Sequence, residues 1–302
     1  MILAPLRGVT IRCFRETFAE EIRGAGFTEA VTPFITAIEG FDPLKDRELR
    51  GEGRKTEDGR REWRVTPQFI GKDPVALRDC LVRVKAAGYD TADLNCGCPF
   101  PMVRNKGRGS GILRTPGVLR RMLEVGCDVM GPGKFSIKAR LGVDRTDELL
   151  GLMPMINEFP LRFLTVHART ARQMYEGRCD GEMVEKVVKV AKIPIVFNGD
   201  IPFPQPSPSH PLTPSPSHPL TLSPSHQMIG RSFIRHLGTR ADSGELLLRY
   251  IAASQAELCG DRPVLGRMKE LIAYGKDLPD WKRRWSVIKL CRSVDELKSC
   301  LI

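Results

Sequence analysis

The chain repeats one pattern of hydrophobic and polar positions: a short apolar run, a polar or glycine-rich loop, and a segment with helical spacing. The helical spacing is clear in CFRETFAEEIRGAG, where Phe14, Phe18 and Ile22 share one face, and in PVALRDCLVRVKAAG. The predicted strands are MILAP, FTEAVTPFI, VTPQFIG, TADLNCG, KFSIKARLG, LRFLTVHAR, IPIVFNGD and QMIGRS. Strands that alternate with helices pair in parallel, so this succession predicts an α/β fold, a (β/α)8 TIM barrel.

Polar residues and glycines follow the ends of most of these strands. In a (β/α)8 barrel the loops after the strands all open on one face, so residues in them meet ligands. The residues in these positions are Pro5 to Gly8, Gln68, Asn95 to Pro99, Lys138, Arg140, His167, Arg169, Asn198 to Asp200, Gly230 and Arg231. Because the pattern recurs after strand upon strand, it predicts a ligand site at the carboxyl ends of the strands.

Two regions depart from the alternating pattern. From residue 239 the apolar positions have helical spacing only, which predicts a small helical domain over 239–302 after a barrel domain over 1–238. Within the barrel domain, residues 202–227 contain PSPSHPLT twice, a low-complexity composition that cannot build a packed core. The regularly spaced histidines of this insert are explained more simply by tandem repetition than by metal binding; they are His210, His218 and His226.

The charge of the chain favours a polyanionic partner. With 47 Lys and Arg against 36 Asp and Glu, the net charge is +11 and the pI is near 9.4, a balance that suits nucleic acid without requiring it. The nine cysteines have no regular spacing, which favours reduced thiols over a disulfide framework. MILAPLRGVT does not have the pattern of a signal peptide, and no apolar run is long enough to span a bilayer. We therefore expect a cytoplasmic protein without membrane contact.

The stretch DLNCGCPFPMVRNKGRGSG places two thiols directly after a predicted strand. A CxC pair can be half of a metal site, a redox pair, a buried thiol beside a turn, or the place where one sulfur performs chemistry. The metal interpretation lacks a companion pair of ligands, so no metal site is predicted. The residues alone do not decide between a redox pair, a buried thiol and a reactive sulfur.

In their order along the chain, the strand-end motifs resemble those of the tRNA-dihydrouridine synthases, flavoproteins that reduce particular uridines in tRNA. The motifs are APLRGVT, TPQFIG, DLNCGCPFPMVRNKGRGSGILRTP, IKARLGVD, LTVHARTARQMYEG, IPIVFNGDI and MIGRS. The similarity continues into the predicted carboxyl-terminal helices through GRMKELIAYG and WSVIKL. The form LNCGCP is most similar to the bacterial C-type branch. The resemblance implies FMN at the barrel mouth, NADPH as reductant, tRNA as substrate, and a helical domain that helps to hold the tRNA. It implies no protein partner, and we expect a monomer.

Position by position, the resemblance also implies roles. Cys98 becomes the acid that protonates C5 of uracil while the flavin delivers a hydride to C6; a thiol, with an ordinary pKa of about 8.5, suits this task. Cys96 is expected to be a buried, inert thiol. The implied cofactor contacts are Pro5, Leu6, Arg7, Gln68, Lys138 and His167 at the flavin and Asn198, Gly199, Asp200, Gly230 and Arg231 at its phosphate. The implied substrate contacts are Asn95, Lys106, Arg108, Arg140 and Arg169.

The repeat insert departs from the family pattern, because the family has a helix and the start of the eighth strand in that interval. We therefore expect an open edge between strand eight and strand one, with Gly230 and Arg231 out of place. Two further functions remain open: a tRNA-binding protein that has lost its flavin, and a flavin enzyme that acts on a free pyrimidine, as the dihydroorotate dehydrogenases do. The net charge of +11 and the helical carboxyl-terminal region argue against the second.

Overall fold

A computed structural model of the protein describes residues 1–50, 63–203 and 227–301. The strands are β1 (Ile2–Leu3), β2 (Glu29–Val31), β3 (Ile35–Thr36), β4 (Arg64–Thr66), β5 (Gln68–Ile70), β6 (Ala92–Cys96), β7 (Phe135–Gly142), β8 (Leu164–Thr170), β9 (Ile195–Asn198) and β10 (Gln227–Ile229). The helices up to the last strand are α1 (Arg12–Thr17), α2 (Ala19–Gly24), α3 (Pro74–Ala86), α4 (Pro101–Arg104), α5 (Pro116–Met130), α6 (Glu148–Ile156) and α7 (Gly181–Val190). The helices that follow it are α8 (Arg231–Thr239), α9 (Ser243–Glu257), α10 (Asp261–Ala273), α11 (Pro279–Ile288) and α12 (Val294–Ser299).

The strands form a closed parallel barrel. β2 and β3 are two halves of one strand, and β4 and β5 are two halves of the next, because each pair is interrupted at a proline, Pro33 or Pro67. Proline has no N–H to donate to a sheet ladder, so the ladder breaks at these residues. Counted in this way, the described residues contain eight strands, and the pairings β2–β4 and β3–β5 complete the ring. The predicted (β/α)8 barrel is confirmed.

The eighth strand closes the barrel even though the repeat insert precedes it. β10 pairs in parallel with β9, where Met228 lies opposite Asn198, and with β1, where Met228 lies opposite Ile2. The Asn198 side chain reinforces this contact, because its Nδ2 donates a hydrogen bond to the Met228 carbonyl at 2.8 Å. The prediction of an open edge is therefore wrong, since the three residues of β10 fill the gap. Residues 204–226, with the three repeat histidines, lie outside the described residues.

Hydrophobic side chains fill the space between the barrel and its helices. Phe14, Phe18 and Ile22 are buried, as predicted, although the helix that carries them divides at Phe18 into α1 and α2. Burial of each such side chain stabilises the fold by roughly 1.5 to 3 kcal/mol. The ring of Tyr250 on α9 lies 5.9 Å from that of Phe14 and 5.4 Å from that of Phe18. The carboxyl-terminal helices are therefore packed against the first helices of the barrel.

None of the helices in the described ranges combines the length and the apolar character that crossing a bilayer requires.

An ion pair between a buried carboxylate and a partly buried arginine lies at the end of the barrel where the strands begin. The Glu29 carboxylate accepts two hydrogen bonds from the Arg162 guanidinium, each 2.6 Å long, and a third of 2.6 Å from Thr66 Oγ1. Thr66 is also hydrogen-bonded to Thr91 at 2.7 Å. Such a two-pronged contact balances a buried carboxylate only while both partners are present.

Replacing Arg162 with methionine should lower the free energy of unfolding by about 3 to 5 kcal/mol, because it leaves the Glu29 carboxylate buried without its partner. The midpoint of urea unfolding at neutral pH measures this loss. The control is Arg78→Met, which removes one member of the exposed Arg78–Asp128 ion pair and should shift the midpoint little. Equal shifts in the two variants would show that the buried pair has no special importance.

Candidate active site at the carboxyl ends of the strands

The thiol of Cys98 lies in a tight loop after β6. The Cys98 N–H donates to Asn95 Oδ1 at 2.8 Å, and the Cys98 carbonyl accepts from the backbone N–H and hydroxyl of Ser110 at 3.1 and 2.9 Å. Gly109 permits this approach, because its φ is 57° and a Cβ there would lie 2.7 Å from the Cβ of Cys98. Cys98 is only 6% exposed, and burial raises the pKa of its thiol. The sulfur therefore holds its proton at neutral pH.

The other thiol of the motif, Cys96, belongs to β6 and to the hydrophobic core. It is fully buried, and burial raises its pKa far above the ordinary value for a thiol. This placement fits the inert thiol expected at that position. In the described part of the chain, no group of three or more His, Cys, Asp or Glu side chains is arranged to hold a metal ion.

A chain of side-chain amides leads from the Cys98 loop into the barrel. Asn95 Nδ2 donates to Gln68 Oε1 at 2.8 Å, and Gln68 Nε2 donates to Asp93 Oδ1 at 2.8 Å. Since Asn95 Oδ1 accepts from the N–H groups of Gly97 and Cys98, Asn95 retains one N–H for a ligand. Gln68 retains one N–H and one oxygen lone pair. That combination complements the imide edge of a pyrimidine or flavin ring.

Lys138 lies beside these amides, opposite Asn95 in the pairing of β6 with β7. Burial and the nearby charge of Arg140 lower the pKa of Lys138 to about 7, although Asp93 acts to raise it. Among the described residues, none receives a hydrogen bond from the Lys138 ammonium. The positive charge of Lys138 is thus poorly balanced by the protein, and it suits a ligand that places an electron-rich group beside it.

Two arginines bind the carboxylate of Asp200 after β9. Arg231 donates to Asp200 Oδ1 at 2.6 Å, and Arg169 donates to both carboxylate oxygens, through Nη1 at 3.3 Å and through Nη2. Partial burial acts to raise the pKa of Asp200, but Arg169 and Arg231 lower it overall. Burial and the surrounding positive charges lower the pKa of His167 well below its usual range. One of these charges is Arg169, whose Nη1 lies 3.5 Å from His167 Nε2. The imidazole is therefore neutral at neutral pH.

The ring of Tyr175 lies beside Arg140 and Arg231, and although Tyr175 belongs to the motif LTVHARTARQMYEG, the sequence alone assigns it no role. Its ring centroid is 5.2 Å from Arg140 Cζ and 5.6 Å from Arg231 Cζ, within reach of cation–π contact. The preceding residue, Met174, has a φ of 54°, and its carbonyl accepts from Arg140 Nη1 at 2.5 Å. Backbone strain of this kind is common at functional sites. The only signal in the sequence is an aromatic residue in the loop RQMYEG after β8.

The loop after β1 supplies three more of the predicted residues. Pro5 and Leu6 are half-buried, and Leu6 lies against Gly230 at the end of β10. Arg7 is exposed, with its Cζ 5.5 Å from the centre of the Phe34 ring. Gly230 is thus in contact with the loop after β1, which corrects the expectation that it would be out of place.

The predicted substrate contacts differ in their exposure. Lys106 is exposed and Arg108 is half-buried, on the loop that follows Cys98. Arg140 and Arg169 are each only 2% exposed. Arg140 donates to the carbonyls of Gly97 and Thr170 at 2.9 Å each, and Arg169 donates to that of Gly177 at 2.8 Å. These two arginines brace the loops around the site, and their contact with a substrate stays a prediction.

Comparison with known proteins gives a consistent family. A protein-family model described as dihydrouridine synthase (Dus) matches residues 2–208. The tRNA-dihydrouridine synthase B of Vibrio vulnificus is 28% identical over 206 residues, covering 68% of this chain and 61% of that protein. The corresponding protein of Pseudomonas aeruginosa is 30% identical, covering 68% and 59%. A probable tRNA-dihydrouridine synthase of Staphylococcus aureus is 29% identical over 208 residues, covering 67% and 60%.

The chain therefore spans about three fifths of the length of these relatives. The family match ends at residue 208, before Gly230 and Arg231. The place of these two residues in the site consequently depends on the structure, in which β10 closes the barrel and Arg231 binds Asp200. Membership of the C-type branch stays a prediction.

Replacing Lys138 with methionine should stabilise the ligand-free protein most at and below about pH 7. The pKa of Lys138 is about 7 in the folded protein and about 10.4 in an unfolded chain, so between these values the unfolded chain binds more protons. Stability of the unaltered protein therefore rises with pH across this window, and the advantage of the variant should shrink there. Urea unfolding of both proteins at about pH 6 and about pH 9 measures the difference in their free energies of unfolding.

The control for this prediction is Lys134→Met, which alters an exposed lysine just before β7 and should give no comparable dependence on pH. A gain from Lys138→Met that is the same at both pH values would mean that burial of the charge is not its cause.

Proposed function

Since this chain belongs to the dihydrouridine synthase (Dus) family, we propose that it reduces particular uridines in tRNA to 5,6-dihydrouridine, with FMN as cofactor and NADPH as reductant. The observation that carries the proposal is the Cys98 loop. The Cys98 thiol is buried and protonated. The Cys98 backbone N–H donates a hydrogen bond to Asn95, and the Asn95 amide donates one to Gln68, beside Lys138. The arrangement offers a proton donor next to groups that suit a flat, imide-containing ring.

Reduction of the 5,6 double bond of uracil adds a hydride at C6 and a proton at C5, and FMN, when bound, supplies the hydride that it has received from NADPH. Cys98 supplies the proton. Burial keeps its thiol protonated until transfer, while the charges of Arg7 and Arg140 act to lower its pKa and so stabilise the thiolate that remains. The sulfur then regains a proton from solvent before the next cycle.

The residues present fit FMN. The free N–H and lone pair of Gln68 match the imide edge of the flavin ring, and Lys138 supplies positive charge where the reduced ring is electron-rich. At the phosphate end, Arg231 is half-exposed and able to bind an anion, while the more deeply buried Arg169 continues to hold Asp200. Asn198 is the last residue of β9, and Gly199 and Asp200 follow it directly.

The proposed substrate is supported by charge. The chain carries +11, and Lys106 and Arg108 lie on the loop that contains Cys98, where a tRNA backbone would pass as one uracil is turned into the site. We assign the helical region 239–302 to holding the tRNA, and we place the activity in the cytoplasm, in a monomer. The hypothesis of a flavin-less RNA-binding protein depended on an open barrel, which the pairing of β10 with β1 argues against.

The first test is whether the purified chain binds FMN. A stoichiometric absorbance band at about 450 nm, present on purification or after addition of FMN, is expected of a flavoprotein. The same sample, supplied with NADPH and unmodified tRNA, should produce dihydrouridine that is measurable by mass spectrometry of the nucleosides. A soluble chain that binds RNA but no FMN would favour the flavin-less hypothesis.

Replacing Cys98 with alanine should lower the rate of dihydrouridine formation by about 10²- to 10⁴-fold, because the proton donor is lost. The flavin absorbance should be retained. The matched control is Cys96→Ala, which removes the neighbouring thiol from the core and should leave the rate nearly unchanged while lowering stability. An unaltered rate in Cys98→Ala would exclude this thiol as the acid.

A further inference from the structure

Asp93 is a fully buried carboxylate on β6, in the same motif as Asn95 and Cys98. Its Oδ1 accepts from Gln68 Nε2 at 2.8 Å and its Oδ2 accepts from Ser136 Oγ at 2.6 Å. Burial raises the pKa of Asp93 to about 6, against the effect of both hydrogen bonds. Keeping an ionisable group in this position costs stability. An apolar side chain would avoid that cost. We therefore expect Asp93 to have a role that requires a hydrogen-bond acceptor.

The hydrogen bonds that begin at Asp93 have a fixed direction. An ionised carboxylate only accepts, so Gln68 turns its Nε2 toward Asp93 and its Oε1 toward Asn95. At the other end the N–H groups of Gly97 and Cys98 only donate, so Asn95 turns its Oδ1 toward them and its Nδ2 toward Gln68. The acceptor at one end and the donors at the other therefore impose the same orientation on both amides.

We propose that Asp93 is a positioning residue: it fixes the orientation of the Gln68 and Asn95 amides and thereby holds the Cys98 loop in place. We call the connected side chains of Asp93, Gln68 and Asn95 the amide relay. The relay would present the Cys98 thiol to uracil and the unused N–H and lone pair of Gln68 to the cofactor. This purpose rests on the function proposed above. The relay itself is a property of the chain alone.

Removal of the carboxylate would leave the Gln68 amide without a group that selects its orientation. If Gln68 turned over, its Nε2 would face Asn95 Nδ2, donor against donor. Asn95 would then have to turn as well and present Nδ2 to the N–H groups of Gly97 and Cys98. Either a buried hydrogen bond is lost or the loop moves, and both outcomes loosen the backbone at Cys98.

The test uses the flavin-free protein and hydrogen exchange of the Gly97 and Cys98 amides. In Asp93→Ala both amides should exchange roughly tenfold faster, the effect of one weakened buried hydrogen bond, while amides of β8 exchange at an unchanged rate. Gln68→Leu breaks the relay at its second member and should produce the same acceleration. The double variant should be no faster than either single one, because both changes interrupt one chain of bonds.

The matched control is Ser136→Ala, which removes the other hydrogen bond of the same carboxylate and leaves the relay intact. It should not change exchange at Gly97 or Cys98. A second readout is the rate of alkylation of Cys98 by iodoacetamide, followed by peptide mapping, which should rise in Asp93→Ala and not in Ser136→Ala.

Unchanged exchange at Gly97 and Cys98 in both Asp93→Ala and Gln68→Leu would overturn the proposal. So would an equal acceleration in Ser136→Ala, or one that extends to β8, because either would indicate a general loss of stability. In the flavin-loaded enzyme, Asp93→Ala should lower kcat with little change in KM for tRNA. If the unaltered chain forms no dihydrouridine, the function fails, while the exchange measurements still decide whether the relay exists.

Discussion

Closure of the barrel by the three residues of β10 is the constraint on which the site depends. The loops after β9 and β1 come to lie on either side of one strand because β10 pairs with both of their strands. Asn198 takes part directly, since its amide is bonded to the Met228 carbonyl. Gly230 then packs on Leu6, and Arg231 reaches Asp200. A strand in a barrel is held by the ladders on its two sides, so the composition of the segment before it matters less than its own register.

The interior of the mouth is a concentration of positive charge that the folded chain only partly balances. Lys138, Arg140, Arg169 and Arg231 all act to lower the pKa of His167, which places them within electrostatic reach of one imidazole. A group of cations in this position costs folding free energy, and proteins retain such costs where function requires them. A cofactor with a phosphate and an electron-rich ring, followed by a polyanionic substrate, would restore the balance. The charge of the site and the charge of the whole chain thus favour the same ligands.

The sequence predicted the positions of the site residues better than their surroundings. Asn95, Lys138 and His167 could be assigned to one face because the carboxyl ends of parallel strands meet at one end of a barrel. Their burial and pKa values depend on neighbours from other strands, which local patterns do not specify. The role of Tyr175 was missed because its place depends on a turn at Met174 with a φ of 54°, a conformation that methionine does not predict. The open edge was predicted wrongly because the composition of the repeat insert does not determine how well the strand after it can pair.

The carboxyl-terminal helices contact a loop of the candidate site, although the family match ends before these helices begin. Gly8, in the loop after β1, has a φ of 80°, and a Cβ there would lie 2.5 Å from Glu270 Oε1 on α10. Burial raises the pKa of Tyr274, which follows α10, and the neighbouring Tyr175 and Glu270 raise it further. The helix that is proposed to hold tRNA therefore contacts the loop that is proposed to lie against the flavin. Gly8 and Glu270 are close enough that the loop after β1 and α10 pack directly against each other, so the proposed flavin site and the proposed tRNA site adjoin at this contact.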